Sequence, residues 1–364
     1  MSAGGRLPRW AEYGLLPLVN LAAALLLSGI VVRLIGESPW AALKLMVAGA
    51  FGSQDSIGYT LFYATDFVFT GLAVAVAFHA GLFNIGGEGQ AYIGGLGVGL
   101  VGLAMGAWSA WVVIPAMIAA GCVFGAAWAF VPAWLQARRG SHIVITTIMF
   151  NFIASALMTY LLVNVLIRPG QQSPESREFG PGAVMPAMTD VLGRMGIKFA
   201  SSPFNLASAL ALAACLLVWL FLWRTRWGYA LRVVGQNPQA AVYAGISPER
   251  TTIVAMLLSG ALAGCLGVNE LAGSQHRILL DFPGGAGIVG IAVALMGRNH
   301  PLGILASSLL FGALYQGGSQ LSFDMPHVNR DMVILIQGLV ILFCGAMENL
   351  FRRPLAALLG AASR

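Results

Sequence analysis

The sequence predicts an all-α polytopic membrane protein of about ten transmembrane helices, in two repeat-like halves with broken or re-entrant glycine-rich segments. Three observations predict it. The 364 residues are 58% apolar and only 9% charged, with a mean hydropathy of +0.80, too hydrophobic for a soluble globule. Apolar runs of about 20 residues, the length that crosses a bilayer, recur along the whole chain. The stretch 81–90, GLFNIGGEGQ, sets Asn84, Glu88 and Gln90 among glycines inside such a region. A bilayer has no water for backbone or carboxylate, so a break of this kind persists only against protein or a wet cavity.

The N-terminal MSAGGRLPRW carries Arg6 and Arg9 before the first run, 15–35, without a small-residue cleavage site, and reads as a retained span. Further runs lie at 59–80, 89–108, 110–135, 143–167, 204–223, 251–271, 285–298, 301–318 and 329–350. The region 81–106 holds ten glycines and the run 285–298 is short, so either is expected to be broken. Such glycine-interrupted segments, one in each half, point to a repeat-built transporter with a central path. Gly95/Gly99, Gly102/Gly106, Gly121/Gly125 and Gly260/Gly264 recur at the spacing that lets helices approach closely in lipid. The chain divides as one transmembrane domain, 1–364. It comprises an N-terminal span and outer segment 1–57, a first helical half 58–223, a cytosolic segment 224–250 and a second half 251–364.

The net charge of +6 comes from 18 arginines against two lysines. Arg6 and Arg9, Arg138 and Arg139, Arg224, Arg226, Arg232 and Arg250, and Arg352 and Arg353 all fall on one side of a ten-span chain. That asymmetry orients a membrane protein with both termini cytosolic; it is not a nucleic-acid footprint. The loop 168–203 on the far side mixes both signs and is expected to cover the outer mouth. Cys122, Cys215, Cys265 and Cys344 lie singly inside apolar runs, which suggests neither a disulfide framework nor a metal site.

Enzymatic classes fit poorly. A phosphate-cradling GxxxxGK[ST] loop is missing: the two lysines, Lys44 and Lys198, follow Leu43 and Ile197. GxSxG and HExxH are missing too, so no catalytic residue, cofactor or metal is expected. The ionisable residues in or near apolar runs are Asp66, His79, Glu88, Glu270 and Arg298, each costly there unless paired or wetted. Asn84, Gln90 and Asn151 can hydrogen-bond a neutral polar solute without a fixed charge, and Tyr92, Phe150 and Phe152 can wall its apolar face. With Glu88 and Glu270 they are the substrate-path candidates. For Glu88 the alternative is to hold the glycine turn through backbone amides, and for Glu270 to pair at a helix end.

The segment 224–250 contains a short capped helix. Asn237 caps it, Pro238 suits its first turn, 239–244 continue it, and Gly245 ends it in a left-handed conformation. Its small residues, among them Ala240 and Ala241, fit a cleft on a partner; an ordinary loop helix is the alternative.

The ordered motifs GLFNIGGEGQ at 81–90, ITTIMFNFIA at 145–154, GYALRVVGQNPQAAVYAGI at 228–246, SGALAG at 259–264, GIAVALMGRNHPLG at 290–303 and LLFGAL at 309–314 carry a family likeness. The chain resembles the permeases of ATP-binding-cassette (ABC) importers of the branched-chain amino acid and ribose type, and within them the nucleoside or simple-sugar permeases. The resemblance implies a bacterial inner-membrane subunit driven by a cytosolic ABC ATPase, paired with a second homologous permease and fed by an extracytoplasmic solute-binding lipoprotein. It implies that 235–246 is the coupling helix docking on the ATPase, through Gly235, Asn237, Pro238, Ala240, Ala241 and Gly245. The implied solute is a nucleoside, then a ribose-like sugar, then a branched-chain amino acid. Val289 stands where the family often has a polar residue, and Asp66 near where a proline is usual, so the chain departs from the family pattern near or within its spans. A secondary transporter coupled to protons or an ion through Asp66, His79, Glu88 and Glu270 is the alternative from another class.

Overall fold

The computed structural model describes residues 15–168, 170–325, 327–328 and 330–343, with Ala11, Phe351, Pro354 and Leu355. The described chain is helical, with isolated β-bridges only in its loops. It falls into two compact units, 1–56 with 313–364, and 57–312.

The expectation of about ten spanning helices is corrected. Among the described residues, five helices are long and apolar enough to cross a membrane, Gln54–His79 (α3), Ala110–Arg139 (α5), Ile143–Asn164 (α6), Ala207–Arg224 (α8) and Pro248–Gln275; a bent pair raises that number to six at most. The physical reasons differ from run to run. The run 15–35 forms α1 (Leu16–Leu34), which turns by 119° into a second helix, α2 (Pro39–Phe51). The run 89–108 becomes α4 (Gly87–Met105), where Glu88, Gln90 and the glycines dilute its apolarity. The run 285–298 becomes α12 (Ala286–Met296), whose 11 residues reach about half the thickness of a bilayer core. The run 301–318 extends into α13 (Pro301–Asp324), long enough but interrupted by Ser307, Ser308, Gln316 and Gln320. Of 329–350, α14 (Arg330–Ile341) is helical, and residues 344–350 lie outside the described part. The expected repeat is corrected with it. Among the described residues, the order and lengths of the helices show no two-fold relation between the halves.

Within 57–312, α3 is the central helix: Phe67, Phe69 and Leu72 are buried, and so is most of its circumference. Helices α5 and α6 are peripheral, turning Val123, Ile145, Phe152 and Tyr160 outward, which is the surface a lipid environment accepts. The π-helical turn Val268–Gln275 continues α11 (Pro248–Gly264). The stretch 165–206, which carries the short helix α7 (Met188–Arg194), is laced to residues 276–279, which follow the π-helical turn. Ser176 N donates to Ile278 O at 3.0 Å, Phe179 N to His276 O at 2.7 Å, and Arg277 pairs with Glu175 and Glu178.

Glycine spacing acts as predicted between α4, α5 and α11, and differently elsewhere. A Cβ on Gly125 would meet the Gly260 carbonyl, one on Gly121 the Gly264 carbonyl at 3.0 Å, and one on Gly94 the Gly264 Cα. The three backbones touch directly, and the Cys122 and Cys265 thiols beside them lie 3.4 Å apart as free cysteines. Gly95, Gly99 and Gly102, in contrast, receive Phe282, Ile278 and Phe179, side chains of irregular segments rather than of a partner helix. Gly125→Leu is therefore expected to cost about 1–3 kcal/mol or more through overpacking, read as a lower melting temperature of the purified protein in detergent. Gly140→Ala, at an open helix end, is the control, with the moderate penalty of its left-handed backbone only.

Candidate functional site

Helix α3 ends at His79, and Gly81, at φ 73°, reverses the chain. Residues 82–85 then run without regular structure to Gly86, which precedes α4. Ser259 Oγ donates to Ala73 O at 2.6 Å and accepts from Asn84 Nδ2 at 2.8 Å, which sets Asn84 level with the interior of α3. Asn84 is fully buried, and its amide is satisfied by protein: Nδ2 also reaches Gln90 Oε1 at 2.9 Å, while Oδ1 accepts from Gly86 N at 2.9 Å and Gln90 Nε2 at 3.2 Å. Asn151, from α6, clamps the other side, accepting from Gly89 N at 2.9 Å and donating to Ile85 O at 2.9 Å. Backbone groups freed by the break thus find side-chain partners, as burial without water requires.

Glu88 holds a different structure from its own turn. Oε1 accepts from Gly285 N and Oε2 from Gly287 N, both at 2.8 Å, so the carboxylate caps the first turn of α12 from 197 residues away. The free amides and dipole of a helix N-terminus favour an anion there. Gly87 and Gly287 are in backbone contact, so the two glycine-interrupted segments meet at this junction. The segment 276–285 reaches it along α4: Ile278 lies on Gly99, Phe282 on Gly95, and the Asp281 amide donates to the Tyr92 hydroxyl. Tyr92 packs edge-on against Phe282, with ring centroids 5.3 Å apart. Glu88 is half-buried, while Asp281, Gly284 and Ile288 beside it are exposed.

Glu270 lies in the π-helical turn, some way from this junction in the chain, and joins a second polar group. Asn269 Nδ2 donates to Asp66 Oδ1 at 3.0 Å and its Oδ1 accepts from Asn205 Nδ2 at 3.0 Å, while Glu270 engages Asp66 and Gln275. Asp66, Asn205 and Asn269 are buried. Sequence reasoning missed Ser259, Asn205 and Asn269; Ser259 stood in the SGALAG motif without a polar role assigned to it. Of the expected aromatic walls, Phe150 packs on Trp128 and Phe152 faces outward. His79 Nε2 lies 3.0 Å from Asn299 O.

The capped helix forms where expected. α9 (Arg226–Gln236) leads into α10 (Pro238–Tyr243), and Asn237 Oδ1 accepts from Gln239 N at 3.0 Å and Ala240 N at 3.1 Å. Gly245 closes it at φ 74°. Ala241 is fully buried, turned inward, whereas Val242 is 60% and Tyr243 95% exposed. Gly235 also faces inward, its Cα against the backbone of Gly81 and Ala80.

A helical membrane unit built around a polar chain break, where two helix beginnings meet, is the arrangement of transporters that bind solute at discontinuous helices. The matching family model is that of the permease component of branched-chain amino acid transport systems, over residues 56–345. The chain belongs to this family, and it is the transport component of an ABC importer, distinct from the ATPase subunit. Among similar proteins, the glucose ABC transporter permease protein TsgB13 of Haloferax volcanii is 34% identical, over 92% of this chain and 88% of its own. The guanosine ABC transporter permease protein NupP of Bacillus subtilis is 31% identical, over 90% and 92%. The nucleoside ABC transporter permease protein NupB of Lactococcus lactis is 32% identical, over 90% of each chain. No solved structure matches the chain significantly. The membership removes the secondary-transporter alternative, which rested on the buried charges alone.

Proposed function

We propose that this permease carries nucleosides inward across a bacterial cytoplasmic membrane, both termini cytosolic, with a separate ABC ATPase, a second homologous permease and a solute-binding lipoprotein outside. The observation that carries the solute reading is that two of the three relatives described above are named for guanosine or nucleosides. A sugar is the second reading, favoured by the 34% identity to the glucose permease. The path runs beside the α4–α12 junction, where Glu88, Asp281, Gly284 and Ile288 leave an accessible edge. Asn84, Gln90 and Asn151 serve it by fixing the break, Tyr92 by fixing the 276–285 segment, and Glu270 by its hydrogen bonds to Asp66 and Gln275, which hold the π-helical turn before that segment. The ATPase docks on α10 through its exposed face, Gln239, Ala240, Val242 and Tyr243, while Asn237, Pro238, Ala241 and Gly245 give that helix its shape.

Uptake of labelled guanosine, uridine, ribose and glucose by vesicles holding the complete importer tests this. Nucleoside uptake that requires ATP and survives an ionophore is the expected result. Uptake of a sugar alone keeps the class and replaces the solute.

A further inference from the structure

The coupling segment and the path junction are joined by one continuous piece of pinned backbone. Helix α9, joined to α10 through the extended Asn237 alone, rests its Gly235 on the turn after α3: a Cβ there would collide with the His79 carbonyl, the Gly81 amide and Ala80. A Cβ on Gly81 would in turn come within 3.2 Å of Gly235 Cα and O. No side chain lies between the two backbones to absorb a displacement. From Gly81 the chain is fixed at each step toward the path. Gly81 N and Leu82 N donate to Phe78 O and Ala77 O, Asn84 is bonded to Gly86, Gln90 and Ser259, and Asn151 grips Ile85 and Gly89. The last residue of this series, Glu88, holds Gly285 and Gly287 at the start of α12.

We propose that the Gly81–Gly235 backbone contact is the link by which movement of the ATPase-docking segment reaches the α4–α12 junction. Gly235 is then a positioning residue, acting on the path through Gly81 and the 82–88 segment, and not a member of the docking face. A close-packed contact without flexible side chains passes on a displacement instead of dissipating it, and a segment pinned by hydrogen bonds carries it onward. The proposal rests on the reading that α10 docks on the ATPase.

The test uses the complete importer in lipid nanodiscs, with wild-type, Gly235→Ala and Tyr243→Ala permeases. Three quantities are read: ATPase subunit retained per permease, stimulation of ATP turnover by solute-loaded receptor, and hydrogen exchange of amides 80–90 and 285–289 on ATP addition. In the wild type both stretches change protection together. In Gly235→Ala the ATPase subunit stays bound at wild-type stoichiometry, the joint protection change disappears, and receptor stimulation falls at least tenfold. Wild-type protection that does not change on ATP addition overturns the link, whatever the variants do. Full stimulation in Gly235→Ala overturns it too, and loss of the ATPase subunit from that variant returns Gly235 to the docking face. Tyr243→Ala separates the two readings: an ATPase subunit that stays bound and fully stimulated there sinks the docking assignment itself, independently of the glycine contact.

Discussion

Uptake through a Glu88→Ala permease is expected to fall by at least about tenfold, the rate equivalent of about 1.4 kcal/mol. The carboxylate accepts from two amides of the first turn of α12, Gly285 and Gly287, each at 2.8 Å. Removing it leaves the amides of half-buried Gly285 and buried Gly287 without their side-chain acceptor. An unmet buried donor costs about 1–3 kcal/mol. It also removes the anion that offsets the α12 dipole. Glu88→Gln keeps one acceptor but presents an NH2 group to the other amide, so its uptake should lie between wild type and Glu88→Ala. Initial uptake rates normalised to inserted protein check both. Wild-type rates in Glu88→Ala would place the path away from this junction.

The second large effect is expected on the opposite side of the coupling segment. Tyr243→Ala combined with Val242→Ala should weaken ATPase binding by about 30-fold, the equivalent of about 2 kcal/mol, because exposed aromatic anchors dominate interface energetics. A titration of nanodisc-held permease with the ATPase subunit measures it. Ala241→Glu is expected to behave differently. Its Cβ is buried within the permease, so a carboxylate there is desolvated without a partner, and the loss appears as reduced folded protein before any effect on docking. An unchanged yield and melting temperature for Ala241→Glu would show that α10 is free to rotate that face outward.

Much of the local structure was legible in the residue order. The α9–α10 corner follows from Asn237, Pro238 and Gly245, because a cap, a first-turn proline and a left-handed glycine act within four residues of themselves. The break at 81–90 was legible for the same reason: glycines beside Asn84 and Glu88 interrupt an apolar stretch on the spot. The spacing of Gly121, Gly125, Gly260 and Gly264 announced close approach, and those four do meet. The same spacing at Gly95, Gly99 and Gly102 announced close approach too, without telling that loop side chains would fill the gaps.

Apolar runs overstate the number of spans because a run carries no sign of whether it forms a straight, full-length rod. The 119° turn between α1 and α2, the short α12 and the glycine-diluted α4 each depart from such a rod, and at the α4–α12 junction side chains satisfy backbone groups that lipid would not.

Composition, capping signals and motif order belong to each residue and its near neighbours, and they suffice to fix a helical membrane permease of this family with a capped segment on one side. The partner of each polar side chain is set by chain closure over long separations. Asn84 meets Ser259 from 175 residues away and Glu88 meets Gly285 from 197. A carboxylate among glycines needs donors, but which donors reach it depends on where folding brings the start of α12, and no local pattern encodes that position.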